Sequence, residues 1–138
     1  MKAFETIDIS GDVGLRIFGN DLAELFKNAA NGLYSLITDT SQVEIKKSIS
    51  ITAHGDNLES LLIAFLNELI FYFDTEGFMG QEIKINSINE QEVEATASGE
   101  EFDPDRHEGK LLIKAATYHK VMVEKSEGTW TASVIFDI

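Results

Sequence analysis

Acidic side chains stand close to both ends of the sequence, where their oxygens could bind an ion. Asp12 closes the segment DISGD at 8–12, and Asp137 precedes the last residue, Ile138, in the apolar stretch SVIFDI. Carboxylate and main-chain oxygens are hard ligands of the kind that calcium, magnesium and manganese prefer. These residue types therefore permit a divalent metal site if the strand that begins at Asp12 lies beside the last strand.

The alternation of side chains along the last strand sets Asp137 apart from its apolar neighbours. Successive residues of a strand point to opposite faces, so Asp137 lies on the face opposite to the apolar residues. The apolar face comprises Trp130, Ala132, Val134, Phe136 and Ile138. Sequence alone does not establish which strand pairs with this one. Two interpretations therefore stay open, a metal site or acidic side chains that are simply solvated.

The charge balance restricts the partners of the chain. Asp and Glu number 24 against 11 Lys and Arg, which gives a formal net charge of −13, and Lys46-Lys47 is the only adjacent pair of lysines. Phosphate backbones would be repelled by such a chain at long range. We therefore expect no direct nucleic-acid binding, and a cation or a basic protein partner fits the charge better. The absence of cysteine excludes disulfides, thiol nucleophiles and thiolate metal ligands.

Two segments have the apolar periodicity of helices. A stripe at helical spacing predicts a helix over 22–37, with Asn20 as its N-cap. A second helix is predicted to start with Asp56 as N-cap and Glu59 three residues later, and to run to about Phe73. Its apolar positions extend around more than one face, so we expect a central helix that is covered on several sides.

The remaining segments alternate with a period of two, which is typical of strands that face a core on one side. The predicted strands are 12–19, 43–55, 81–88, 91–99, 110–124 and 129–138. Strands follow one another directly in the second half, so the prediction is an α+β fold. It consists of a mainly antiparallel sheet of about six strands with two helices packed on it, in a single domain over 1–138. The long polar stretch 99–109 is predicted to be a surface loop.

Neither a leader nor a membrane span is predicted. The N-terminal stretch MKAFETIDIS has no apolar core of the kind found in signal peptides. The longest apolar run, Leu61–Phe73, is interrupted by Asn67 and Glu68 and is too short to span a bilayer. The expected location is the cytoplasm, with no membrane partner.

An enzymatic alternative can be assembled from the same acids. His119 falls in an apolar row of the predicted strand 110–124, where a hydrogen-bonded core histidine is the commoner role. The other histidines, His54 and His107, lie in no metal-ligand spacing, and no glycine-rich phosphate loop is present. A small metal-dependent phosphoester hydrolase that holds its ion on Asp12 and Asp137 and uses His119 as base remains the alternative.

Taken together, several stretches resemble the archease family, and the resemblance runs nearly end to end. In many members of that family the first motif reads His-Thr-Ala-Asp, where this chain has Ile9-Ser10-Gly11-Asp12, so a role of that histidine cannot be carried over. The stretches that carry the resemblance are DISGDVGLRIFG (8–19), DLAELFKNAANGLYSLITD (21–39), LESLLIAFLNELIF (58–71), DTEG (74–77), SGEEFDPDRHE (98–108), IKAATYH (113–119) and VIFDI (134–138).

The resemblance implies both a site and a function. It implies that Asp12, Asp137 and Ile138 bind a divalent cation, with calcium as the expected ion and Ile138 contributing main-chain or terminal oxygen instead of its side chain. It also implies a non-catalytic protein that activates the RtcB class of RNA ligase in tRNA splicing. Such a protein would promote formation of the ligase's guanylate intermediate, allow multiple turnover and broaden nucleotide use. The implied partner is therefore the ligase itself.

Overall fold

Two helices lie between two antiparallel sheets in the computed structural model, which describes residues 2–9 and 11–138. The α+β class is confirmed, and so is the antiparallel pairing. The elements are β1 Phe4–Ile9, β2 Asp12–Gly19, α1 Leu22–Ile37, a 3-10 turn Thr40–Gln42, β3 Lys47–His54, α2 Leu58–Glu76, β4 Phe78–Ile88, β5 Glu92–Glu101, β6 Ala115–Ser126 and β7 Thr129–Asp137.

The strands form one sheet of four, in the order β1-β2-β7-β6, and one of three, in the order β3-β5-β4. The described residues thus contain seven strands in two sheets, where we predicted about six in one. The additional strand is β1, which forms a hairpin with β2 in which Phe4 faces Ile17. Gly11 follows β1 with a φ of +90°, a conformation that glycine adopts without steric cost.

Both helices bury apolar surface against both sheets. α1 packs mainly on β2 and β4, whereas α2 packs mainly on β6 and β3, so each helix contacts both sheets. A helix with apolar residues around most of its circumference requires such cover on two sides. The prediction that α2 is central is confirmed by its buried residues, which are Leu61, Leu62, Ile63, Phe65, Leu66, Leu69 and Ile70.

The cap of α1 lies one residue from its predicted position. Asp21, not Asn20, is the N-cap, and its carboxylate accepts the Glu24 N–H at 2.8 Å. The Glu24 carboxylate in turn accepts the Asn20 N–H at 2.8 Å. Asn and Asp have similar preferences for the capping position, so the sequence could not distinguish the two neighbours.

α2 begins one residue later than predicted. Its capping box is formed by Asn57 and Ser60, whose side chains accept each other's backbone N–H groups, instead of Asp56 and Glu59. The helix ends at Glu76, three residues beyond the predicted end, and the next residue, Gly77, takes a φ of +71°. No helix in the described part of the chain, α2 included, is long and apolar enough to cross a membrane.

The long loop occupies a different part of the sequence from the one we predicted. β5 continues to Glu101 because it is the central strand of its sheet and pairs with β3 and β4. β6 begins only at Ala115, so the segment 102–114 has no regular secondary structure. Within it, the Lys110 and Leu111 N–H groups donate to carbonyls in the last turn of α1 at 2.9 and 3.1 Å. These bonds use the backbone donors that a strand starting at 110 would need.

Gly99 lies at a point where three strands crowd together. It faces Lys47 of β3 and Gly80 of β4, next to a register shift in the β4–β5 pairing. A Cβ atom on Gly99 would overlap the carbonyl oxygen of Met79. The glycine in the stretch SGEE is therefore required by close backbone approach.

We expect Gly99→Ala to lower the free energy of unfolding by roughly 1–3 kcal/mol, because the backbone of β4 must move to accommodate the methyl group. Gly109→Ala is the matched control, since its Cβ would lie 3.6 Å from the Phe102 ring in ordinary contact. The control should change stability by no more than about 0.5 kcal/mol. Urea denaturation measures both, and equal stability of the two variants would contradict the crowding argument.

Candidate metal site

The pairing of β2 with β7 places Asp12 and Asp137 at the same end of one sheet. Val13 faces Phe136 in this antiparallel register, so Asp12 and Asp137 are the next residues beyond that pair. Val13 and Phe136 are buried, whereas both aspartates are exposed. Since side chains alternate between faces, the two aspartates leave the sheet on the side opposite to those buried residues. The strand adjacency that the sequence left open is thus present.

The backbone of Asp137 is held from both sides. Asp137 adjoins β2 on one side and faces Ala115 of β6 on the other, and its carbonyl oxygen accepts the Lys114 N–H at 2.8 Å. The last strand therefore presents its carboxylate from a fixed position. Asp12 also lies between two strands, because it faces Ile9 of β1 in the hairpin register and adjoins β7 on its other side.

A cavity of about 310 Å³ opens at this end of the sheet. It brings Asp12 together with Ile138, and it adds Asp8, which the ligand prediction did not include. Asp137 adjoins this cavity through the strand register. The lining residues are Asp8, Gly11, Asp12, Val13, Leu111 and Ile138.

The residues at this end offer only oxygen donors, which fits a hard divalent cation. Within residues 2–9 and 11–138, however, no three His, Asp or Glu side chains are grouped so that they could hold a metal ion. An ion on Asp12 and Asp137 would therefore complete its shell with main-chain oxygens, such as those of Ile138, and with water. Calcium and magnesium sites commonly include such ligands.

His119 lies away from the candidate ligands. The prediction that it faces an apolar row is wrong, because the β6–β7 register shifts between Thr117 and Met122 and His119 is exposed. Lys120, the next residue, has a φ of +54°. Ala115 faces Asp137, and four residues of strand from there to His119 correspond to roughly 13 Å. The hydrolase alternative therefore loses His119 as the base that it assigned.

A buried charge cluster that the sequence patterns did not predict is centred on Glu100 in the stretch 98–108. Glu100 is only 3% exposed, and its carboxylate binds the Arg106 guanidinium, accepts the Glu44 N–H at 2.6 Å, contacts His107 Nε2 at 3.1 Å and lies 3.4 Å from Lys46 Nζ. Arg106, followed by the Glu44 amide, lowers the pKa of Glu100 to about 2 in spite of the opposing effect of burial. We call these residues the Glu100 cluster.

The hydrogen bonds of His107 define its tautomer. Its Nδ1 accepts the Asp103 N–H at 2.8 Å, so the ring proton is on Nε2, which donates to Glu100. The ring also lies 5.8 Å from that of Phe102. The spacing of an acid followed by Arg and His six and seven residues later was visible in the sequence. It has no helical or strand periodicity, however, and so gave no signal to pattern analysis.

The cavity beside the Glu100 cluster has balanced charge. It measures about 360 Å³ and is lined by three cationic and three anionic side chains. With no excess of either sign, it offers little to select an ion. The charged residues that line it are Lys46, Lys47, Arg106, Glu100, Glu101 and Asp103.

The fold and the acidic strand ends define a class of protein. It is a small acidic α+β protein with a layer of two helices between two antiparallel sheets. In the four-stranded sheet, the pairing of β2 with β7 places Asp12 next to Asp137. Residues 4–138 match the sequence profile of the Archease protein family (MTH1598/TM1083). The chain belongs to this family.

Relatives from several archaea are similar over the whole chain. The protein archease of Pyrococcus abyssi is 38% identical over 142 residues, and that of Sulfolobus acidocaldarius is 32% identical over 139 residues, with 100% of each chain covered in both cases. The solution structure of Methanobacterium thermoautotrophicum protein 1598 has a TM-score of 0.77 at 35% identity and covers 100% of both chains.

A more distant solved structure supports the fold. It is the crystal structure of an archease from Thermotoga maritima, described as a possible chaperone, with a TM-score of 0.66 and 23% identity. The match covers 97% of this chain and 96% of the other. At this identity the likeness concerns the fold alone.

Glu100 should make the stability of the protein depend on pH in the acid range. Its pKa is about 2 in the folded protein against an ordinary value of 4.5, so its stabilising contribution is complete above pH 4.5 and is lost as the pH falls towards 2. The difference in free energy of unfolding between the wild type and Glu100→Gln should therefore shrink as the pH falls from 4.5 towards 2. Urea denaturation at a series of pH values measures it.

The neighbouring carboxylate provides the control for that experiment. Glu101 is exposed and pairs with Lys47 at 2.9 Å on the surface, so Glu101→Gln should keep the acid dependence of the wild type. If Glu100→Gln and Glu101→Gln had the same pH profile, the cluster would not hold the charge that its geometry indicates.

Proposed function

We propose that this chain is a non-catalytic accessory protein that activates an RtcB-type RNA ligase of tRNA splicing in the cytoplasm. In this role it promotes guanylylation of the ligase, allows multiple turnover and broadens its nucleotide use. The observation that carries the proposal is the position of Asp12 beside Asp137 at one open end of a sheet, in a chain of the archease family. Because this chain belongs to the archease family, the description of the Thermotoga maritima archease as a possible chaperone supports action on another protein.

In this proposal Asp12, Asp137 and the main-chain oxygens of Ile138 hold a divalent cation, with calcium as the expected ion. The donor set supports this assignment, since all its atoms are oxygens and both carboxylates are exposed and accessible to water. When bound, the cation supplies positive charge that attracts phosphate oxygens. The chain's own part is to fix the two carboxylates at the ends of paired strands.

An activator must bind one state of its target more tightly than another, because equal affinity for both states shifts no equilibrium. A net charge of −13 supports such binding to an RNA ligase, since proteins that bind RNA present basic surfaces. Carboxylates held at a rigid sheet end can approach cationic groups of one ligase conformation in a defined geometry. The same charge disfavours RNA as the direct ligand of this chain.

The proposal is tested by Asp137→Ala. This variant should weaken calcium binding by more than about tenfold, since even residues that only support a metal ligand cost 10- to 100-fold in affinity. It should also abolish stimulation of the purified ligase. Calcium titration calorimetry measures the first effect, and guanylylation and multiple-turnover ligation assays measure the second.

Asp56→Ala is the matched control, because Asp56 is also exposed but precedes α2 on another part of the surface. It should bind calcium and stimulate the ligase like the wild type. Full stimulation by Asp137→Ala would exclude the metal-bearing end from the mechanism. Phosphoester turnover by the wild-type chain alone, with divalent metal, would favour the hydrolase instead.

A further inference from the structure

An apolar hollow of about 330 Å³ lies beside the segment 102–114. Its rim carries Leu112, which at 74% is the most exposed of the large apolar side chains in the described residues. Ile113, the next residue, is 3% exposed, so Ile113 holds the segment in the core and the Leu112 side chain stays outside it. The lining residues are Ile37, Phe73, Phe102, Gly109, Lys110, Leu111 and Leu112.

The walls of the hollow are held in place before any partner arrives. Lys110 and Leu111 are tied to the end of α1 by their N–H groups, and the Phe102 and Phe73 rings pack edge to face with centroids 6.3 Å apart. The Glu100 cluster fixes the preceding stretch through Arg106. A surface that is ordered in the free protein loses little conformational entropy on binding.

The hollow adjoins the acidic sheet end. Leu111 lines both the hollow and the cavity that contains Asp8 and Asp12. We call the two together the docking surface. It combines an apolar recess with neighbouring carboxylates. Lys110 is the cation on the rim of the hollow, and its charge acts on Asp39. The pKa of Asp39 is lowered by the Ser41 hydroxyl and amide and, to a smaller extent, by Lys110.

The charge of the docking surface selects its occupant. A second copy of the chain, placed face to face, would bring Asp8, Asp12 and Asp137 against their own counterparts, and like charges across an interface are unfavourable. A nucleic acid would be repelled at long range by the net charge of −13, with or without a cation at the sheet end. The remaining occupant is a protein surface with an apolar side chain to enter the hollow and basic residues beside it.

We propose that the hollow around Leu112 and the acidic sheet end form one docking surface for a protein partner of this kind. For the identity of the partner this inference rests on the proposed function, in which the partner is the RNA ligase. Leu112 is the apolar anchor of the contact, and the adjacent carboxylates determine orientation and the rate of encounter.

Leu112→Ser in the full chain tests the anchor. The variant should bind the purified ligase roughly 10- to 100-fold more weakly, because the leucine would no longer be buried on binding. Ile45→Ser is the matched control, since Ile45 is also apolar and exposed, at 55%, but belongs to the segment before β3. It should bind like the wild type. Calorimetry at low and high salt gives the affinities, and calcium affinity should be unchanged in both variants.

The outcomes separate this inference from the proposed function. Equal affinity of Leu112→Ser and the wild type would overturn the docking surface while leaving ligase activation intact. An affinity that does not fall with salt would overturn the basic character of the partner. A wild-type dimer in sedimentation that Leu112→Ser dissociates would assign the surface to a second copy and overturn the proposal. Failure of the wild type to bind the ligase would overturn both proposals.

Discussion

The pairing of β2 with β7 is the constraint on which the rest of the structure depends. It joins a strand near the start of the chain to the last one, with Leu15 facing Val134 and Ile17 facing Ala132, and all four side chains are fully buried. A slip by one residue would turn these side chains to the opposite face and expose them, so burial determines the register. The same register brings Asp12 next to Asp137, just beyond the buried pairs. The arrangement of the acids is thus a consequence of core packing.

The helix layer extends this constraint to the second sheet. Because α1 contacts β2 and β4, and α2 contacts β6 and β3, neither sheet can move without exposing helix surface. α2 also covers the free edge of β6, since the Asn67 amide accepts the Ala116 N–H at 2.8 Å and donates to its carbonyl at 3.3 Å. A side chain here takes the place of a neighbouring strand, which protects an edge that would otherwise be open to pairing.

A buried carboxylate organises the irregular segment 102–114. The charge of Glu100 is compensated by an arginine, a histidine, a lysine and a backbone amide, which satisfies the requirement that a buried charge be paired and hydrogen-bonded. Through Arg106 and His107 it ties the segment 102–114 to β5. The apolar hollow and the acidic cavity are both lined by residues of that segment. The Glu100 cluster therefore helps to hold the docking surface in place.

The sequence by itself determined the class of fold, the two helices and most of the strands, because apolar periodicity is local and each element carries its own. It also identified Asp12, Asp137 and Ile138 as candidate ligands, and their role remains a prediction. The tertiary structure decided which strands are neighbours, that there are two sheets, that His119 is exposed and that Glu100 is buried. These features depend on contacts between residues far apart in the chain. No local sequence pattern predicts them, because they are selected by the free energy of burying the whole helix layer between the two sheets.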